Sequence, residues 1–102
     1  MIRHIVLTRF KPGTTEEAIA EIYADLSALV RDLPGARDFR GGRSSSPEDL
    51  ERGYRHGFTI DFDTWEALAT YAENPVHRAL GARLVENAEV GVEGLLVLDI
   101  EV

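Results

Sequence analysis

The chain of 102 residues has no cysteine. That excludes disulfides, thiolate catalysis and Cys-type zinc or iron–sulfur sites, and it fits a reducing compartment. No apolar run approaches membrane-spanning length. The opening Met1–Arg9 stretch is interrupted by charge too often to read as a signal peptide, so a cytoplasmic protein free of the membrane is expected. Positive charge is scarce and dispersed: 11 Lys and Arg against 18 Asp and Glu give a net charge of -7. An acidic chain without a basic stripe repels phosphate backbones, which argues against nucleic acid. The glycines are scattered, and Gly41–Gly42 opens no phosphate-cradling helix, so no flavin, haem or nucleotide cofactor is called for. Histidine is sparse too, with three in all. Their spacing matches no short ligand motif and no Asp or Glu is adjacent to them in sequence on the same faces, so no metal is expected.

What remains has the length of a single domain spanning residues 1–102. Ile2–Phe10 alternates, with His4, Val6, Thr8 and Phe10 on one face and Arg3, Ile5, Leu7 and Arg9 on the other, which predicts a strand with both faces covered. Pro12–Gly13 ends it. Thr14 followed by Glu17 has the form of a capping box, and Ile19, Ile22, Tyr23, Leu26, Leu29, Val30 and Leu33 form one apolar stripe on a helix reaching about Leu33. Pro34–Gly35 stops that helix. Ala36–Ser44 reads as an edge or bulged strand, and Ser46–Leu50 carries the marks of a short helical turn. Tyr54–Phe62 alternates again, with His56, Phe58, Ile60 and Phe62 on one face. Asp63–Glu66 caps a second helix bearing Trp65, Leu68 and Tyr71. Trp65 reads as hydrophobic cover. Asn74–Pro75 breaks that helix, a third helical piece carries His77, Leu80 and Leu84, and Leu95–Val102 reads as a mostly buried strand.

The order strand, helix, strand, strand, helix, strand defines an α+β fold, the ferredoxin-like split βαβ with an antiparallel sheet and helices on one side. The second face still carries Ile5 and Leu7. A homodimer joining two sheets back to back into a dimeric α/β barrel would cover it.

Three elements together carry a family resemblance: His4-Ile5-Val6-Leu7-Thr8-Arg9-Phe10-Lys11, Gly53-Tyr54-Arg55-His56, and Tyr71-Ala72-Glu73-Asn74-Pro75-Val76-His77. The chain resembles the stress-responsive dimeric α/β-barrel (Dabb) family over nearly its whole length. That family includes proteins of unassigned biochemistry and olivetolic acid cyclase, a plant polyketide cyclase. The resemblance implies a cavity between sheet and helices. Within it His77 and Tyr71 would be the catalytic pair of a cyclase-like lyase acting on a keto compound, and His4 and His56 supporting pocket residues. Val6, Thr8, Tyr23, Phe58 and Ile60 would wall the pocket. The residue types suit the chemistry, since a base near neutral pKa removes a proton between two carbonyls and a hydroxyl holds the enolate oxygen.

This chain departs from the cyclase pattern in Asn74-Pro75-Val76-His77, where the cyclase has His-Pro-Ala-His, in Leu80, and in an added segment, Asn87–Gly94, expected over the cavity end. Some relatives hold a cation through backbone carbonyls at the end of the first helix, around Val30, Leu33 and Ala36 here. Each histidine also has a structural reading, as a buried ring bonded to its neighbours. Two function classes follow: a binding or protective dimer with a pocket for a small, partly apolar ligand, and a cofactor-free enzyme. A cofactor-free oxygenase is a third and weaker option.

Overall fold

The computed structural model describes residues 1–102. The elements are β1 (Ile2–Thr8), α1 (Glu16–Asp32), β2 (Ala36–Arg43), β3 (His56–Phe62), α2 (Trp65–Glu73), α3 (Pro75–Asn87), a 3-10 turn (Gly91–Gly94) and β4 (Leu95–Glu101). The strands form one antiparallel sheet in the order β2-β3-β1-β4. This is the ferredoxin-like α+β architecture, with all three helices on one face.

The α1 stripe supplies that face with its cover. Ile19, Ile22, Tyr23, Leu26, Leu29 and Val30 are all buried, each contributing about 1.5–3 kcal/mol by leaving water. Opposite them lie Ile2, Val6, Phe58, Ile60 and Phe62. The helix starts one residue later than the sequence implies. Thr15 is the N-cap, its hydroxyl accepting from the Ala18 amide, while the Thr14 amide closes a turn onto the Lys11 carbonyl. No Glu stands three residues beyond Thr15, so the capping box does not form.

The Ser46–Leu50 helical turn does not form either. The Ser46 hydroxyl accepts from the Glu48 amide, but Asp49 takes the left-handed region at φ 54, which ends any helix there. The segment also lacks an apolar stripe to pack. Flanking strand ends are shorter than the alternation implied, since Phe10 makes only an isolated bridge to Ala88 and Tyr54–Arg55 lie outside β3.

β4 is exposed along most of its length, contrary to the buried strand expected. It is an edge strand, and register decides its faces. Ile5 pairs with Leu98 and Leu7 with Leu96, so Leu96, Leu98 and Ile100 stand with Ile5 and Leu7 on the helix-free face. On that face the Arg3 guanidinium holds Asp61 through two hydrogen bonds of 2.8 and 3.1 Å. The pairing keeps the Asp61 carboxyl below its ordinary range. Trp65 is half exposed, its indole N–H donating to Glu101, so it caps the sheet edge instead of filling the core.

Candidate functional site

Asn74 is where two helices meet. It is the C-cap of α2 and the N-cap of α3, and its side-chain oxygen accepts from the amides of Val76 and His77 at 2.8 and 3.2 Å. Pro75, at the first position of α3, has no amide to satisfy. This tight joint places the His77 ring 4.2 Å from the Tyr71 ring, centre to centre. The Nδ1 of His77 lies 3.1 Å from the Ala72 carbonyl oxygen. Because a carbonyl only accepts, Nδ1 carries the proton and Nε2 of the neutral ring keeps its lone pair. Burial, opposed in part by that hydrogen bond, holds the His77 pKa below its ordinary value, and nearby His4 and Arg78 push the same way.

Tyr71 is 1 % exposed. Its hydroxyl is buried without a hydrogen-bond partner, an arrangement that carries a desolvation penalty of about 1–3 kcal/mol unless something fills it. Burial raises the phenol pKa, so the group stays a donor at any ordinary pH.

His4 comes from the sheet. Its ring packs edge-on against Tyr71 at 5.7 Å and Phe62 at 6.0 Å, and its Nδ1 lies 2.6 Å from Asp99 of β4. The β1–β4 register sets His4 opposite Asp99. No reading of the sequence singled out Asp99. The signal was the alternation of β4, which puts Leu95, Val97 and Asp99 on the covered face once the strand is registered on β1.

His4, Tyr71 and His77 line a common cavity of about 350 Å³ between sheet and helices. Val6 and Phe58 form part of its sheet wall, as expected, while Leu26, Leu84 and Gly81 supply the helix wall. Arg78 and half-exposed Val97 stand at its rim. The arrangement offers one neutral base and one hydroxyl donor inside a mostly apolar enclosure.

The other expected site residues lie elsewhere. His56 pairs with Thr8, four positions along β1 from His4, or about 13 Å away at strand spacing. There its Nε2 meets the Glu16 carboxylate at 2.9 and 3.0 Å and its ring packs on Phe10. Tyr23 lines a groove between α1 and β2. Thr8 and Ile60 are fully buried and line no part of the cavity. No residue of Asn87–Gly94 lines the cavity; this segment pairs with Arg9 and Lys11 beyond the end of β1 instead. Two carbonyls at the end of α1 are engaged by backbone amides, Val30 by Leu33 and Leu33 by Ala36. No three His, Cys, Asp or Glu side chains are grouped to hold a metal.

The family model of the stress-responsive A/B barrel domain matches residues 2–102. The chain belongs to that family. It is 34% identical over 76 residues to the stress-response A/B barrel domain-containing protein HS1 of Arabidopsis thaliana, covering 74% of this chain and 70% of that one. It is 26% identical over 80 residues to olivetolic acid cyclase of Cannabis sativa, covering 78% and 79%. Among solved structures, a dimeric ferredoxin-like protein of unknown function from Jannaschia sp. CCS1 superposes with a TM-score of 0.92 at 34% identity, over 99% of this chain and 98% of that chain. The relatives of this chain thus include a named cyclase and a protein of unknown function.

Proposed function

We propose that this A/B barrel protein binds a small, partly apolar compound bearing a carbonyl in the cavity of His4, Tyr71 and His77. The observation that carries the reading is the Tyr71 hydroxyl, a buried donor with no partner beside a 350 Å³ apolar cavity. A ligand oxygen accepting from it removes the penalty of leaving it unpaired. Apolar walls from Val6, Leu26 and Leu84 take the rest of the ligand.

The lone pair at His77 Nε2 favours a second reading at the same site, a cofactor-free lyase of the cyclase type. His77 would take the proton from a carbon flanked by two carbonyls, becoming imidazolium, and Tyr71 would donate to the enolate oxygen that results. A His77 pKa held low keeps the base unprotonated at neutral pH.

Assembly belongs to the same proposal. Ile5, Leu7, Leu96, Leu98 and Ile100 make an apolar field on the uncovered face, and the Jannaschia relative is dimeric. A second copy seated there forms the barrel, and light scattering at micromolar concentration is expected to give the mass of a dimer.

Calorimetric titration with heptane-2,4-dione tests the pocket. The wild type is expected to bind saturably, and Tyr71→Phe, which removes one donor and no packing, to bind about tenfold more weakly. Equal affinity in both, or no binding by the wild type at millimolar ligand, would overturn it. If proton transfer follows, His77→Gln also loses the protein's acceleration of deuterium exchange at the central carbon of a 2-methyl-3-oxo ester.

A further inference from the structure

The helix wall of the His77 cavity has a gap in it. On α3, His77, Arg78, Gly81, Leu84 and Val85 line the cavity, which is the spacing of one helix face. Gly81 sits in the middle of that row. Its φ is not left-handed, and a Cβ there would meet nothing within 4 Å. Neither backbone conformation nor close packing therefore calls for glycine, which inside a helix is less favourable than alanine. What the missing side chain leaves is open space on the cavity side.

Fixed charge in the cavity comes from one residue. No Asp or Glu lines it, and Arg78 is the single Lys or Arg that does. Arg3, Arg9, Arg37, Arg43, Arg55 and Arg83 each have a carboxylate within 4 Å, whereas Arg78 has none. Its guanidinium stands exposed at the rim, close enough to His77 to add to burial in keeping a proton off that ring. The cavity therefore runs from a buried, unpartnered hydroxyl at Tyr71 to an exposed, unpartnered cation at Arg78.

We infer that the compound this cavity takes is a keto acid, held with its carbonyl oxygen on the Tyr71 hydroxyl, its chain in the space beside Gly81 and its carboxylate on the Arg78 guanidinium. A keto acid narrows the pocket reading above, on which it rests, to an anionic class of ligand. Arginine suits a carboxylate because its planar fork donates two parallel hydrogen bonds. Since Arg78 is exposed and screened by water, it selects among ketones and leaves the bulk of the affinity to the buried contacts.

The probes are 5-oxooctanoate and its neutral amide, 5-oxooctanamide, titrated into the whole protein beside heptane-2,4-dione. The acid is expected to bind about fivefold more tightly than the amide at about 50 mM NaCl, with most of the difference gone at about 500 mM. Arg78→Gln is expected to erase that preference and to leave amide affinity unchanged. Gly81→Ala is expected to melt above the wild type, and Gly81→Leu, which carries a side chain into the gap, to lose both ligands. Binding of the diketone with no preference for acid over amide, or a preference kept in Arg78→Gln, overturns the inference and leaves the pocket reading standing. So does full affinity in Gly81→Leu, or a Gly81→Ala that melts below the wild type, because the fold and not the ligand then requires the glycine. Failure of the wild type to bind any of the three compounds removes the pocket reading itself, and the keto-acid assignment with it.

Discussion

His4 and His56 leave the same face of the sheet, both are buried, and each meets a carboxylate, yet their surroundings differ. Around His4 the helices leave a cavity, because α2 and α3 break at Asn74–Pro75 and pack Tyr71 and His77 over the sheet without filling the space toward Val97. Around His56, Phe10 packs edge-on at 5.3 Å and Glu16 from the first turn of α1 takes Nε2, so the ring borders the open groove between α1 and β2 with that nitrogen already engaged. The difference teaches that burial and pairing do not mark a binding residue. What marks the His77 end is a donor and a base left over side by side, the Tyr71 hydroxyl and His77 Nε2; at the other end the Thr8 and Tyr23 hydroxyls are unpartnered as well, but the imidazole beside them has its Nε2 taken by Glu16.

Phe58 stands between the two ends, its ring 6.4 Å from His4 and 5.4 Å from Tyr23. Phe58→Ala is expected to destabilise the fold by about 3–5 kcal/mol, read as the denaturant midpoint at unchanged slope, and to merge the two environments. A small loss would mean the ends are already in communication. His56→Ala comes next. Loss of a buried, hydrogen-bonded ring is expected to cost about 1–3 kcal/mol while diketone affinity stays at the wild-type value; a large drop in affinity with stability kept would reverse the roles assigned here.

The smallest effect is in pH. Since the folded chain holds the His77 pKa below its ordinary 6.5, the unfolded chain binds more protons between the two values and stability rises with pH there. On acidification, stability is therefore expected to start falling near pH 6.5 and to stop responding to this group below its lowered pKa. Melting curves of wild type and His77→Gln isolate the contribution, because His4 and His56 are common to both. Curves that stay parallel from pH 7 to 5 would remove the burial argument for a neutral base.

Much of this was legible in the residues. Period-two alternation placed His4, Val6, Phe58 and Ile60 on the covered face, the α1 stripe identified that cover, and the Tyr71–His77 spacing across Asn74–Pro75 located the joint. Position along the strand was not legible, because alternation is the same at both ends of β1; it takes the β1–β3 register to put His56 opposite Thr8. Asp99 was hidden for the same reason, its role depending on a pairing 95 residues apart in sequence. At Ser46-Pro47 the local cap signal was real, but the left-handed Asp49 and the lack of an apolar stripe outweighed it.

The presence of only three histidines allows a direct test of the claim that the Tyr71 end is the ligand site. The ring C–H proton resonances of His4, His56 and His77, assigned by single substitution, can be followed while heptane-2,4-dione is added at constant pH. Saturable shifts of His77 and His4 with one common dissociation constant, and no shift of His56, are predicted. A shift of His56 alone, or none in any of the three at saturating ligand, would contradict it.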